Sequence, residues 1–427
     1  MRPAARMGMK VKAVFMAKYK TVLLGGGLVL VGACGDSASV GENNAFCVGE
    51  KISCELPKEA QSPASDDQVT EVMPSMGVLE AAWSIPLSGS IAAGTNGTVW
   101  EVSLAGSSYH VRQIQADGTE LGALDVPAPE AGPGCTFELD QAIVSQRIVT
   151  SSPGPLLVAD WQSYCDGRTA DYRLELVSFG ATVQEGPTRT LLHRDNPTVM
   201  PPYAIQRLSN AKDYAVLSMG NGVIPSRIDG HGELLWQQSA TGPVTGPLDT
   251  AGGLRIAFDA ANQLALVGRF GPPDLITHFT LDWDTGNVVS QHAYYLPWSQ
   301  YRVAVDSRGR SVVAATNSSG DIEWLRSDGT TTDGVTMVRS SYTLMDPYAL
   351  EPDALGGTYL LTRSGERGAE QPTVCRWGDA GTISCAVMPM PNIFELAVSD
   401  QPGVLYAVHT DPLIQQKPSL VRYDFPL

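Results

Sequence analysis

One period dominates the C-terminal half of this 427-residue chain. Hexapeptides beginning at Leu254, Tyr301, Tyr348 and Phe394 align, and their starts lie 47, 47 and 46 residues apart. Each is followed by a turn residue (Asn262, Gly309, Gly357, Gly403) and then by an apolar run at 264–267, 311–315, 358–361 and 404–408. The pattern is strand, turn, strand. The first strand is apolar at consecutive positions, as in Val303-Ala304-Val305, so both of its faces are expected to be covered. In an all-β chain only stacked sheets offer that. Composition agrees: 43 Gly and 29 Pro with only 17% charged residues suit short strands and many turns better than helices with charged faces.

A second hairpin signal completes each unit, at Asp229-Gly230, Asp284-Thr285-Gly286, Asp328-Gly329 and Asp379-Ala380-Gly381, which makes four strands per unit. Earlier units have longer loops: 91–126 with turns at Asn96-Gly97 and Asp117-Gly118, 143–192 with Pro153-Gly154 and Phe179-Gly180, and 203–238. Seven first strands result. Four-stranded units repeated radially predict an all-β fold, a β-propeller of seven blades over residues 77–427. Six or eight blades stay open, because the second unit is irregular. The seventh unit runs out of chain at Leu427 after three strands, and residues 77–84, with Trp83, read like 232–237, with Trp236. An N-terminal strand is therefore expected to complete the last blade and close the ring. Residues 303–315 resemble the repeats of NHL-type propeller families, which implies the fold and no particular chemistry.

The N-terminus reads as an address. Arg2, Arg6, Lys10, Lys12, Lys18 and Lys20 precede an apolar run at 21–33, with no acidic residue among the first 35. This is the pattern of an export signal, with a run too short for a comfortable membrane span of about 20 residues. It ends in Val31-Gly32-Ala33-Cys34, which resembles the lipobox of bacterial lipoproteins. That resemblance implies a signal peptide over 1–33 and an acylated Cys34 as first residue of the mature chain. An ordinary signal peptide or a retained signal anchor are the alternatives. Gly35 in place of Asp after the cysteine favours the outer membrane, on its periplasmic or surface face. Residues 34–76, rich in Ser, Ala, Asn, Glu, Pro and Asp, read as a flexible tether.

Setting Cys34 aside leaves six cysteines in three local couples, Cys47 with Cys54, Cys135 with Cys165 and Cys375 with Cys385. Six cysteines allow 15 connectivities, of which the local one is the simplest. A three-residue loop at Asp379-Ala380-Gly381, with its Gly in the left-handed position, would set Cys375 opposite Cys385. The small Cys47–Cys54 loop would pin one turn of the tether.

Nucleophile elbows, zincin motifs, phosphate loops and metal-spaced His or Cys pairs are absent from the sequence. No cofactor is expected. Asp282, Asp284 and Asn287 have the alternating oxygens of a calcium loop, but no Glu follows at the required distance, so a hairpin turn is the simpler reading. Asp284-Thr285-Gly286 also resembles the quinoprotein dehydrogenase repeat, without its Lys and Trp. Tyr203, Tyr301, Tyr348 and Phe394 each begin a first strand after a turn segment such as Pro201-Pro202, Leu296-Pro297-Trp298 or Asp346-Pro347. With Trp298, Arg255, Arg302 and Glu395 they are candidates for a ligand site at one mouth of the channel. Blade-to-blade packing is the competing role for the aromatics.

The net charge is −16, and about −22 once the six basic residues of the signal are removed. Such a surface excludes nucleic acid as a partner and leaves membrane attachment to the acyl chains. The sequence thus points to a lipid-anchored, extracytoplasmic, monomeric binding or assembly scaffold, without catalysis, whose partner is an envelope or surface protein or a glycan. The alternative is an exported enzyme acting on a glycan or peptide polymer, which would need a carboxylate pair or an activated nucleophile at the mouth.

Overall fold

The computed structural model describes residues 70–72, 75–105, 108–127, 129–130, 134–139, 146–149, 154–166, 168–194, 200–207, 213–219, 223–238, 255–258, 263–268, 275–295, 300–316, 321–327, 335–340, 344–365, 370–390, 392–410 and 418–427. Cys34, Cys47, Cys54 and Trp298 lie outside them.

The described strands form seven sheets, each built on an antiparallel run that follows chain order from an innermost strand outward, with N-terminal strands added to the last three. Blade 1 covers residues 90–127, blade 2 135–194, blade 3 200–237, blade 4 255–295, blade 5 300–340, blade 6 344–387 and blade 7 393–424. The all-β, seven-bladed propeller read from the repeat is the fold. Blade 2 is irregular as its sequence suggests: its first strand is split into Cys135–Leu139 and Gln146–Val149, both paired to Leu156–Cys165.

Consecutive apolar residues in the inner strands have a simple cause. Tyr301, Val303 and Val305 face Val267 and Ile276 of blade 4, whereas Ala304 joins Leu350 and Leu360 of blade 6. Seven apolar clusters thereby join the seven blades in a ring. Trp100 and Tyr109 meet Phe179 between blades 1 and 2, and Leu174 meets Ile205 between blades 2 and 3. Leu217 meets Phe279 between blades 3 and 4, Trp324 meets Trp377 between 5 and 6, and Val374 meets Leu405 between 6 and 7. Tyr406 and Leu420 meet Ile91 and Ile114 across the seam between the last blade and the first. Middle strands such as Ile322–Ser327 and Val404–His409 are buried along their whole length, whereas the outer strands Leu234–Gln237 and Glu120–Pro127 are mostly exposed.

The closing strand is Ala81–Pro86, paired antiparallel to Ser419–Asp424 as the fourth strand of blade 7. Two further strands lie before it, inside or overlapping the stretch whose composition reads as tether. Thr70–Val72 adds a parallel fifth strand to blade 5, and Ser75–Val78 does the same for blade 6. The expected closing segment 77–84 is thus corrected: Gly77 and Val78 belong to the rim of blade 6. Leu79 turns the chain between the two blades, its side chain buried in the cluster between blades 6 and 7 and its N–H donated to the Val387 carbonyl at 2.9 Å.

Trp83 and Trp236 are structural equivalents. Each lies opposite an arginine, Arg422 and Arg227 respectively, just after a register irregularity in its outer strand. The Trp83 indole N–H and the Arg422 guanidinium both donate to the Ala116 carbonyl in the next blade's outer turn. Likewise Trp236 (2.7 Å) and Arg227 (3.0 Å) both donate to the Trp283 carbonyl. Each indole lies over a left-handed glycine, Gly118 and Gly286. A Cβ on Gly286 would come within 2.6 Å of the Trp236 ring, and its φ is +72°. Gly286→Ala is therefore expected to cost about 1–3 kcal/mol, and Gly381→Ala, left-handed but facing open space, about 1 kcal/mol. Paired thermal melts check the difference.

The cysteines of blades 2 and 6 form cross-strand bridges. Cys135 lies directly opposite Cys165, and Cys375 opposite Cys385, and both pairs are disulfide-bonded. The register of the second follows from its turn: Gly378 N–H donates to the Thr382 carbonyl, and Gly381 has φ +86°.

Candidate functional site

Antiparallel order within each blade places the starts of all innermost strands at one mouth of the propeller and the first and third turns at the other. At the first mouth the aromatics at equivalent positions have different fates, and the cause lies in the residues before them. Tyr301 pairs regularly with Ala315 and is 1% exposed, part of the packing between blades 4 and 5. Tyr348 falls in a register break between Met345 and Ala349 and is 41% exposed. Pro347, which has no N–H for the ladder, accounts for the break. The backbones of Tyr203 and Phe394 sit in the same kind of break, after Met200-Pro201-Pro202 and after Ile393. The backbone of Arg255 begins the innermost strand of blade 4.

Two guanidinium groups contact Tyr348, and an acid stands at the seam between blades 7 and 1. The Arg363 guanidinium lies 5.1 Å from its ring centroid, a cation–π distance. Arg302 of blade 5 donates through Nε to the Tyr348 carbonyl at 2.9 Å and through Nη1 to the Tyr301 carbonyl at 2.8 Å. Arg302 thus ties two innermost strands and holds the bulge that presents the ring. Glu395, at the position in blade 7 equivalent to Arg302, accepts the Ile91 N–H at 3.2 Å, so it bridges the last blade to the first.

Burial pushes the Glu395 carboxyl up to about 7; the Ile91 N–H opposes this, and the negative charge of Glu351 on the innermost strand of blade 6 adds to it. The folded chain therefore holds this proton more tightly than the unfolded chain does. The group favours the fold most below pH about 4.5 and loses that contribution as pH rises to about 7. Glu395→Gln keeps the acceptor for Ile91 and removes the buried charge. It is expected to melt above the wild type at about pH 8 and level with it at about pH 4, in thermal scans across that range.

The other mouth is built of ion pairs and turns. Arg310 bridges Asp306 and Asp379 at 2.7 Å each, joining blades 5 and 6. Asp400 accepts the N–H groups of Asn96 and Gly97 at 2.7 and 2.8 Å, joining blades 7 and 1. The carboxylates of the calcium candidate are occupied: Asp282 accepts the Thr285 N–H and hydroxyl within the hairpin, and Asp284 pairs with Arg227 of blade 3 at 3.0 Å. Asn287 donates its N–H to the Thr285 hydroxyl. Among the described residues no group of three or more His, Cys, Asp or Glu is arranged to hold a metal ion. Sequence reasoning missed Arg363 and Glu351. Arg363 lies near the end of a second strand, which only the blade brings back beside Tyr348, and Glu351 lies at the far end of the blade 6 inner strand, where only the ring lets its charge reach Glu395.

No protein-family model matches the chain, and no curated protein is similar to it. Solved structures align with it at low identity. They include the β-propeller domain of Cps50 (Swd1) from Myceliophteria thermophila, with TM-score 0.47 and 11% identity over 81% of this chain and 100% of that one. Hydrazine synthase of Kuenenia stuttgartiensis gives TM-score 0.49 and 14% identity over 76% and 93%. The propeller domain of the Trilobed protease from Pyrococcus furiosus gives TM-score 0.46 and 10% identity over 80% and 94%. The chain's own seven sheets and seven inter-blade clusters establish what it is structurally, an all-β propeller closed by its N-terminal strand.

Proposed function

We propose that the protein is a binding or assembly scaffold, held at the outer membrane through acylated Cys34, that takes an envelope or surface protein or a glycan at the mouth where blades 5 to 7 begin. The observation that carries the binding site is the exposed Tyr348 ring, pushed out of its sheet by Pro347 and backed by Arg363 and Arg302. An aromatic face beside guanidinium groups suits stacking on a sugar ring or a peptide plane, with hydrogen bonds alongside. Crosslinking from this mouth in the native envelope, with identification of the adduct, is the test. Tyr348→Ala is expected to weaken capture about tenfold, which corresponds to about 1–2 kcal/mol. Unchanged capture would remove the mouth from consideration. For the anchor, a fatty-acid analogue is expected to label the wild type and leave Cys34→Ala unlabelled.

A second reading, an exported enzyme acting on a glycan or peptide polymer, is favoured by Glu395, since a carboxyl held near 7 stays protonated long enough to act as a general acid. Under this reading Glu395→Gln abolishes turnover of the captured polymer and leaves binding intact. Under the scaffold reading the same variant changes neither.

A further inference from the structure

Arg112, Arg189, Arg227, Arg310, Arg339 and Arg376 each hold a carboxylate, and Arg207 donates to the carbonyls of Gly154 and Phe179. The Arg363 guanidinium does neither. Among the described residues it takes no acid and no carbonyl, and its contact is the Tyr348 ring, 5.1 Å away. The chain has 45 acidic residues against 29 basic ones, so acids to pair with it are not scarce. An aromatic face attracts a cation without neutralising it, which leaves this charge available to a ligand.

The backbone fixes the pair in place. Arg363 lies opposite Met345 on the innermost strand of blade 6 and opposite Pro372 on the third. Its strand neighbours Thr362 and Ser364 are buried, and the Ser364 and Thr373 hydroxyls share a hydrogen bond of 2.6 Å. Guanidinium and ring are thus presented together before any ligand arrives, which lowers the cost of ordering them.

We propose that this mouth binds an acidic glycan, with Arg363 taking a sugar carboxylate and Tyr348 stacking on the sugar ring. The inference rests on the reading of the Tyr348 mouth as the binding site, and it adds the charge of the ligand. A uronate carries an apolar ring face and a carboxylate within one residue, as the site offers an aromatic face and a guanidinium within 5.1 Å. A protein partner fits less well. Protein interfaces are anchored by clusters of apolar and aromatic side chains. Of the large hydrophobics exposed among the described residues, only Tyr348 lies on an innermost strand, and the exposed residue that begins the innermost strand of blade 5 is the polar Gln300. The net charge of −16 opposes an acidic ligand at long range, so this local cation decides whether such a chain is held.

The test uses the full chain in mild detergent and titration calorimetry. Oligogalacturonate, oligomannuronate and oligoglucuronate are each compared with their methyl esters, which keep the sugar ring and lose the charge. At least one acid is expected to bind about tenfold more tightly than its ester. Arg363→Met, which keeps an apolar stem, is expected to erase that difference, and Tyr348→Ala to weaken acid and ester alike. Esters that bind as well as the acids, or acids none of which binds, would overturn the proposal without recourse to any variant. So would a folded Arg363→Met that still prefers the acid, or binding of oligoglutamate in place of every glycan, which would assign the site to an acidic peptide. If the acid has no advantage while Tyr348→Ala still weakens glycan binding, the mouth stands as the site and its charge preference falls. Acid binding that Tyr348→Ala leaves intact would overturn the reading of the mouth itself.

Discussion

Deleting Ala81–Pro86 is expected to open the ring, lowering stability by more than about 5 kcal/mol or preventing folding of the full chain. Three losses add up. Strand Ser419–Asp424 would keep its pairing to Val404–His409 but expose its other edge to water. Trp83 would leave its place between the Tyr406 ring, 5.8 Å away, and Gly118, a burial worth roughly 1.5–3 kcal/mol by itself. Its hydrogen bond to Ala116 would go too, and the Arg422 guanidinium would grip the first blade alone. Deleting Thr70–Val72 instead removes three residues of parallel pairing from a blade that keeps four strands, and is expected to cost a small fraction of that. Urea melts of both deletions beside the parent decide the matter. If the 81–86 deletion melts with the parent, the closing strand is not what holds the ring.

Trp377→Ala is expected to cost about 3–5 kcal/mol. The side chain is fully buried between blades 5 and 6, edge-on to Trp324 with centroids 5.9 Å apart. The Arg326 guanidinium lies 4.1 Å above its ring. Burial lowers the Arg326 pKa to about 10, so this cation is costly where it sits, and it donates to the carbonyls of Gly378 and Trp377. Alanine removes the ring and leaves the cation over a cavity. Trp377→Phe keeps an aromatic face and is expected to recover more than half of the loss. Denaturant midpoints of the two variants provide the check, and equal midpoints would show that a smaller ring recovers neither the packing nor the cation–π contact.

Much of the site, unlike the blades, was hidden in the sequence. Tyr301 and Tyr348 occupy the same repeat position with the same side chain, yet one packs between blades and the other faces solvent. The difference lies in Pro347, immediately before Tyr348, whereas Gln300 before Tyr301 keeps a donor and pairs with Thr316. A local signal therefore existed, but its consequence depended on a ladder that exists only in the folded sheet. The raised pKa of Glu395 had no local signal. It arises from burial at a seam between residues 304 positions apart, with Glu351 contributed by a third strand.

Features set by short-range periodicity were legible along the chain. The 47-residue spacing defined the blades. The Asp379-Ala380-Gly381 turn set the Cys375–Cys385 register, because a left-handed glycine leaves one geometry for that hairpin. The likeness of the segments around Trp83 and Trp236 announced ring closure, because both rings perform the same task on the next blade's turn. The places of the N-terminal strands emerged only on folding. Thr70–Val72 and Ser75–Val78 are too short and too polar to declare themselves, and they are strands because the outer edges of blades 5 and 6 offer them ladders.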